Sequence, residues 1–300
     1  MNVTRLGFIG FGEVTTYMLR GLHREGVGNH YILTRRATTY SRRKASLLGA
    51  GITESWDELF ANTDVVFSAV RGHVALETAE KASEHIQQGQ LFADLNNAVP
   101  SVKRAASAVI TAKGAAYVDI GLIGLPVQHE HKALMYVSGV AAETFHHQME
   151  SFGMNTTIVS GEVGQASMIK ALVNIYMKCL QGVCLELAIS ARFAGIQMSD
   201  LERLITDPLA EIPREKDVGF WITRGSLLAE RKKAEMQDAV DMFMEMHIDP
   251  VMLSATVERL NRVSEFKLQD EFDVSVSYAD YEKIIQRMFE IATEKGIEVK

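Results

Sequence analysis

The segment at residues 6–22, LGFIGFGEVTTYMLRGL, constrains the fold more than any other part of the chain. Its apolar run at 6–9 predicts a buried strand, Gly10-Phe11-Gly12 a tight turn, and the spacing of Val14, Met18, Leu19 and Leu22 a helix. Strand, glycine turn and helix in that order form the phosphate-binding corner of a Rossmann unit. Gly10 makes the turn, Gly12 lets a pyrophosphate approach the backbone, and the amides of the helix start carry the anion. Gly10, Phe11, Gly12, Glu13 and Val14 are therefore assigned to a dinucleotide. The third glycine of the fingerprint is replaced by Thr15.

The second strand reads HYILTRR. Where an acid would hold the ribose hydroxyls of NAD, the chain carries Thr34, Arg35 and Arg36, with Arg42, Arg43 and Lys44 close behind. A hydroxyl and guanidinium groups suit a 2′-phosphate. The whole chain has a net charge of −7, so this local positive excess is not inherited from composition. The expected cofactor is NADP(H) in preference to NAD(H).

Up to about residue 159 short apolar runs alternate with helical patterns. Strands are expected at 6–9, 31–33, 65–70, 91–95, 116–120, 134–137 and 157–159. Such alternation implies an α/β fold with a parallel, doubly wound sheet, whose ligands bind at the carboxyl ends of the strands. Ala69 and Val70, Asn96 and Asn97, and Asp119 to Gly121 occupy those ends. After Gly161 helical periods take over, at 164–194, 199–206, 228–246, 250–263 and 277–295. The expected organisation is an NADP-binding Rossmann domain over 1–160 and an all-helical substrate and dimerisation domain over 161–300, joined by a long helix.

That helix carries Lys170 and Asn174, four residues apart and so on one face. A lysine whose pKa is lowered by burial or a nearby cation can serve as general acid or base, and an asparagine beside it can hold a substrate oxygen. The spacing is common by itself and gains meaning from the dinucleotide corner. A helix passing between domains would place both residues in a cleft.

At 300 residues and 47% hydrophobic, the chain can bury two cores. Its net charge and a pI of about 5.8 argue against a nucleic-acid partner. No apolar run reads as long enough to span a membrane, and the first strand begins without a signal sequence. Cys179 and Cys184, expected to be buried thiols, suit a cytoplasmic location. His129-Glu130-His131 and His146-His147 lack a further ligand at metal spacing, so a solvated polar loop is expected and no metal. Ser167 lies three residues before Lys170 but lacks the rest of a hydrolase set.

These features together resemble the β-hydroxyacid dehydrogenase superfamily, which includes 6-phosphogluconate and 3-hydroxyisobutyrate dehydrogenases. The resemblance rests on the glycine corner, the DLNNAVP segment at 94–100, residues 117–124, and the helix with Gly161, Gly164, Lys170 and Asn174. It implies that Lys170 transfers a proton, that Asn174 positions substrate, and that Asn96 and Asn97 lie near the nicotinamide ribose. It also implies substrate contacts from Gly121, Leu122, Ile123 and Gly124. The family's Ser-Gly-Gly cradle for a substrate carboxylate is altered, with Ile123 for the serine and Leu125 for the second glycine. The run DIGLIGLP and the stretch at 229–240 are more similar to a phosphogluconate-dehydrogenase-like subgroup. In other members a lysine of the C-terminal domain approaches the cofactor, a part open here to Lys232 or Lys233, although a solvated helix face suits both.

The expected activity is NADP(H)-dependent interconversion of an alcohol and a carbonyl on a small polar substrate, with a hydroxy acid among the candidates. An imine reductase on the same scaffold and a catalytically silent NADP-binding protein remain alternatives. The apolar long helix and the Met-rich stretch at 236–252, together with the resemblance, point to a homodimer.

Overall fold

A computed structural model describes residues 5–34, 37–123, 126–159, 161–197, 217–273 and 276–295. The chain divides into two compact units, Met1–Tyr176 and Met177–Lys300.

The first unit is built on an eight-stranded sheet in the order β3-β2-β1-β4-β5-β6-β7-β8. The strands are β1 (Leu6–Ile9), β2 (His30–Leu33), β3 (Ala50–Thr53), β4 (Val65–Ser68), β5 (Leu91–Asp94), β6 (Ala116–Leu122), β7 (Met135–Ser138) and β8 (Thr156–Ile158). The intervening helices are α1 (Glu13–Arg24), α2 (Thr39–Ser46), α3 (Trp56–Ala61), α4 (Ala75–Ser83), α5 (Pro100–Thr111), α6 (Pro126–His129) and α7 (Ala142–Glu150). Strand side chains alternate between faces, and the core follows that period. Leu6, Phe8, Val65, Phe67, Leu91 and Ala93 enter one buried cluster. Ile9, Val66, Phe92 and Tyr117 enter the other. Phe8 stacks on Phe67 across β1 and β4 with ring centroids 5.3 Å apart.

Two features of the sheet differ from the sequence expectation. The edge strand β3 was not foreseen; its four residues include Gly51 and give almost no period to read. β7 runs antiparallel to β6, with Ile120 opposite Val137 and Leu122 opposite Met135. Among the described residues the connection between them holds the four-residue α6 and a short 3-10 turn, too little helix for a parallel crossover.

The long helix α8 (Gln165–Phe193) begins in the first unit, and the division falls inside it, after Tyr176 rather than at residue 160. Its first turn is bonded to β6: the Gly164 and Ser167 amides both donate to Asp119 Oδ2.

The second unit is helical, with helices Asp217–Leu227, Ala229–Glu245, Val251–Ser264 and Tyr281–Glu294. The first of these was not expected, and the helix expected at 199–206 lies outside the described residues. Leu227, Leu268, Ile284 and Ile291 form its small core. Glu186 of α8 caps the helix Val251–Ser264, accepting from the amides of Met252 (2.6 Å) and Leu253 (3.0 Å).

Three composition-based expectations are corrected by these elements. Residues Gln165–Arg192 include an 18-residue stretch of mean hydropathy 1.4 and are by length and composition alone enough to cross a membrane, and none of that stretch is buried. Cys179 and Cys184 are exposed because they lie on that uncovered helix. Glu130 and His131 are buried rather than solvated. Glu130 pairs with Arg20 and Arg24 at 2.7 Å each, and His131 Nε2 lies 3.2 Å from Glu25. Glu130 and His131 thus dock against α1 and its C-terminal end, where charge pairing replaces hydration, while His129 stays exposed.

Candidate active site

The glycine corner forms as its sequence requires. Gly10 has φ of 98°, and a Cβ there would lie 2.5 Å from the Ala69 carbonyl oxygen. The left-handed backbone and the close approach of β4 both demand glycine. Gly12 is the N-cap of α1, makes no side-chain cap, and faces open space. The first amides of α1 thus lack a capping side chain beside a residue without one, which fits an incoming phosphate. Thr15 resolves the broken fingerprint. It is fully buried and its hydroxyl donates to the Gly10 carbonyl at 3.0 Å, tying helix to turn where a third glycine would only permit contact. Phe11 and Val14 pack partly against the core, and Glu13 is exposed.

Beyond the corner opens a cavity of about 430 Å³, lined by Gly10, Leu33, Thr34, Trp56, Val70 and Thr78 among others. Thr34 is where the sequence placed it, and Arg35 and Arg36 lie outside the described residues. Of the basic residues behind them, Arg42 is committed to Glu54 at 3.0 Å. Lys44 donates to Thr16 at 2.8 Å and rests over the Phe11 ring, 4.8 Å from its centroid. Lys44 thereby brings a positive charge to the glycine corner.

Asn96 is buried at the end of β5, and both ends of its amide are used. Its Nδ2 donates to Ser68 Oγ at 2.9 Å and its Oδ1 accepts from the Val70 amide at 2.6 Å. Asn96 therefore positions Val70 and the β4 end, whereas Asn97 is exposed. A Cβ at Gly72 would collide with the Asn97 carbonyl, so Gly72 lets the two loops touch.

Lys170 and Asn174 lie half-buried on α8. Gly121 lies beneath them: a Cβ there would strike the Ala166 carbonyl and approach Lys170 Cβ to 3.4 Å. Gly121 thus sets how closely α8 approaches β6. Leu122 and Ile123 follow half-buried, and Gly124 lies outside the described residues. Neither Lys170 nor Asn174 makes a hydrogen bond or ion pair among the described residues. Burial lowers the Lys170 pKa from its ordinary value, the positive charge of Lys103 lowers it further, and Asp119 and Asp94 partly oppose both.

No local sequence motif announces the polar cluster around Lys103. Lys103 of α5 is fully buried, with Nζ 2.9 Å from Asp94 Oδ1, 3.2 Å from Asp119 Oδ1 and 2.8 Å from the Asp94 carbonyl. Tyr117 donates to Asp94 Oδ2 at 2.7 Å. Burial, followed by the Asp94 charge, holds the Tyr117 phenol well above its ordinary pKa and hence protonated. Ser167 Oγ donates to Asp119, which gives that serine a structural use. The available signal was a pair of acids, Asp94 and Asp119, within apolar strands, because buried carboxylates require a cation or donors. No group of three metal-binding side chains occurs among the described residues, His129 to His131 included. In the second unit Lys233 pairs with Glu230 at 3.1 Å, while Lys232 is half-buried and its pKa is lowered chiefly by burial.

The chain has relatives among known proteins. Residues 5–98 match the family described as NADP oxidoreductase, coenzyme F420-dependent. An uncharacterized 28.5 kDa protein of Methanothermus fervidus is 28% identical over 87% of this chain and 99% of its own. A conserved protein of unknown function, whose structure is described as similar to 3-hydroxyacid dehydrogenases, is 28% identical with a TM-score of 0.57, covering 88% of this chain and 98% of that one. An imine reductase from Myxococcus stipitatus in complex with NADP+ shares the fold at a TM-score of 0.73 and 18% identity, covering 87% and 94%. The chain thus shares its fold with a structure described as similar to 3-hydroxyacid dehydrogenases and with an NADP+-bound imine reductase.

Proposed function

We propose that this chain is an NADP(H)-dependent oxidoreductase that interconverts an alcohol and a carbonyl on a small polar substrate, with Lys170 transferring the proton. The observation that carries the reading is Lys170 itself: half-buried, without a counter-ion among the described residues, and with its pKa lowered by burial and by Lys103. Such a lysine changes protonation state more readily than a solvated one.

The uncapped start of α1 at Gly12 would hold the pyrophosphate, and Thr34 with Lys44 would favour the 2′-phosphate. Bound cofactor supplies or accepts the hydride. Lys170 gives its proton to the oxygen that becomes the hydroxyl in reduction, and takes that proton in oxidation. Asn174, one turn along α8, orients the substrate oxygen. Ile123 and Leu125 stand in place of the serine and second glycine of the carboxylate cradle that the family resemblance implies, which turns the reading away from simple 3-hydroxy acids.

The fold shared with an NADP+-bound imine reductase favours a second reading, reduction of a C=N bond. NADPH oxidation measured against panels of aldehydes, ketones, hydroxy acids and cyclic imines separates the two. Turnover of a carbonyl supports the first reading, and turnover of imines alone replaces it with the second. NADPH binding without turnover on any panel defeats both.

The same reading includes a homodimer. Leu172, Ile175, Leu180, Leu185 and Ile189 are exposed along α8. A lipid surface fits them less well than a second copy. Lys178 sits mid-helix, where a bilayer would desolvate it. Glu186 is used to cap a neighbouring helix of the same unit.

A further inference from the structure

Asp119 is saturated by donors. Its Oδ2 accepts from the amides of Gly164 (3.0 Å) and Ser167 (3.1 Å) and from Ser138 Oγ (3.2 Å), while its Oδ1 faces Ser167 Oγ and Lys103 Nζ. Asp94 is likewise taken up by Lys103, the Asn96 amide (2.8 Å) and Tyr117. Asp119 has no lone pair to spare for Lys170, and Asp94, with three donors on its four lone-pair sites, makes no bond to that lysine, yet both act on it through space. The charged groups that act on Lys170 through space are Lys103 from α5, Asp94 from β5 and Asp119 from β6, with Tyr117 a neutral donor to Asp94. Two carboxylates and one buried ammonium leave a single negative charge around Lys170. Without Lys103 the negative charge would double, and a carboxylate would be released toward the lysine.

We propose that Lys103 is a positioning residue for Lys170: a buried cation that ties Asp94 and Asp119 together, so that α8 is anchored by Asp119 while Lys170 is left without a carboxylate partner. Lys103 also links the two halves of the site. Asp94 binds the amide of Asn96, Asn96 holds Val70 beside the glycine corner, and Asp119 holds the turn that carries Lys170. One side chain thereby couples the cofactor loop to the proton-transferring helix. The significance for Lys170 rests on the proton-transfer reading above, but the electrostatic coupling does not.

Competitive labelling of the full-length protein with acetic anhydride across pH, with mass spectrometry of the Lys170 peptide, reads that lysine directly and needs no substrate. Lys103→Met should move the labelling midpoint of Lys170 upward by about one pH unit or more, because an opposing charge is lost. Asp94→Asn should move it downward, because a stabilising negative charge is removed. This substitution retains an oxygen for Lys103 and the Asn96 amide, and an amide group facing Tyr117, so it keeps the test open where Lys103→Met does not fold. Lys103→Met combined with Asp94→Asn should return the midpoint close to that of the unmodified chain. Packing damage alone has no such sign rule. A midpoint that is unmoved by Asp94→Asn, or that moves the same way in both single variants, would overturn the proposal. The fate of the proton-transfer reading is decided separately, by turnover of Lys170 variants.

Discussion

The two compact units solve opposite problems with their side chains. In the first, the central strands are buried and the polar residues at the ends of β5 and β6 are internally satisfied, down to a lysine and two aspartates with no exposure. In the second, the buried cluster of Leu227, Leu268, Ile284 and Ile291 among the described residues coexists with Leu180, Leu185, Met242, Met244 and Phe289 in solvent. The sheet of the first unit is largely finished within one chain, whereas α8 and the helices of the second unit present apolar surface of the kind that proteins cover by association. Chemistry is therefore expected to depend on charge placement in the first unit and assembly on apolar surface in the second.

Several substitutions can break that contrast. The largest effect on stability belongs to the first unit. Lys103→Met strands two buried carboxylates, so the protein should lose about 3–5 kcal/mol in denaturant unfolding. A loss below about 1 kcal/mol would mean that the cluster is hydrated and does not hold the unit together.

The next effect belongs to the second unit. The unmodified protein should scatter light as a dimer of its 33.3 kDa chain. Leu180→Glu with Leu185→Glu should weaken association at least a hundredfold, about 2.7 kcal/mol, and leave NADPH binding intact. A monomer at micromolar concentration, or flotation of the protein with lipid vesicles, would show that something other than a second copy covers α8.

Cofactor choice comes third. NADPH should bind at least tenfold more tightly than NADH at one salt concentration, about 1.4 kcal/mol. Equal affinities by calorimetry would remove the 2′-phosphate from the account. The smallest effect is local. Thr15→Val keeps the volume but deletes the hydroxyl bonded to Gly10, and should cost about 1 kcal/mol. No change in unfolding would make that bond incidental.

How far the sequence could be read depended on the range of the interactions. The glycine corner was legible because Gly10, Gly12 and the first turns of α1 are neighbours in the chain. The burial period of β1, β4 and β5 is equally local. The Lys103 cluster was illegible because β5, α5, β6 and α8 each contribute to it, and a lysine on an Ala-rich helix reads as solvated until its partners are known. Glu130 and His131 misled for the same reason, since their burial depends on Arg20, Arg24 and Glu25. α8 misled in the other direction, because an apolar helix in sequence carries no label saying which chain covers it.

Turnover by Lys170 variants tests the central claim most directly. With the carbonyl compound that the unmodified enzyme reduces fastest, Lys170→Ala and Lys170→Met should each lower kcat by about 10²–10⁴-fold and leave NADPH affinity nearly unchanged. The pH profile adds a sign. Oxidation needs neutral Lys170, so kcat in that direction should rise with pH through a pKa below the ordinary lysine value, and reduction should fall through the same pKa. Both limbs should vanish in the variants. A Lys170→Met enzyme that keeps most of its kcat and its pH limb would contradict the account.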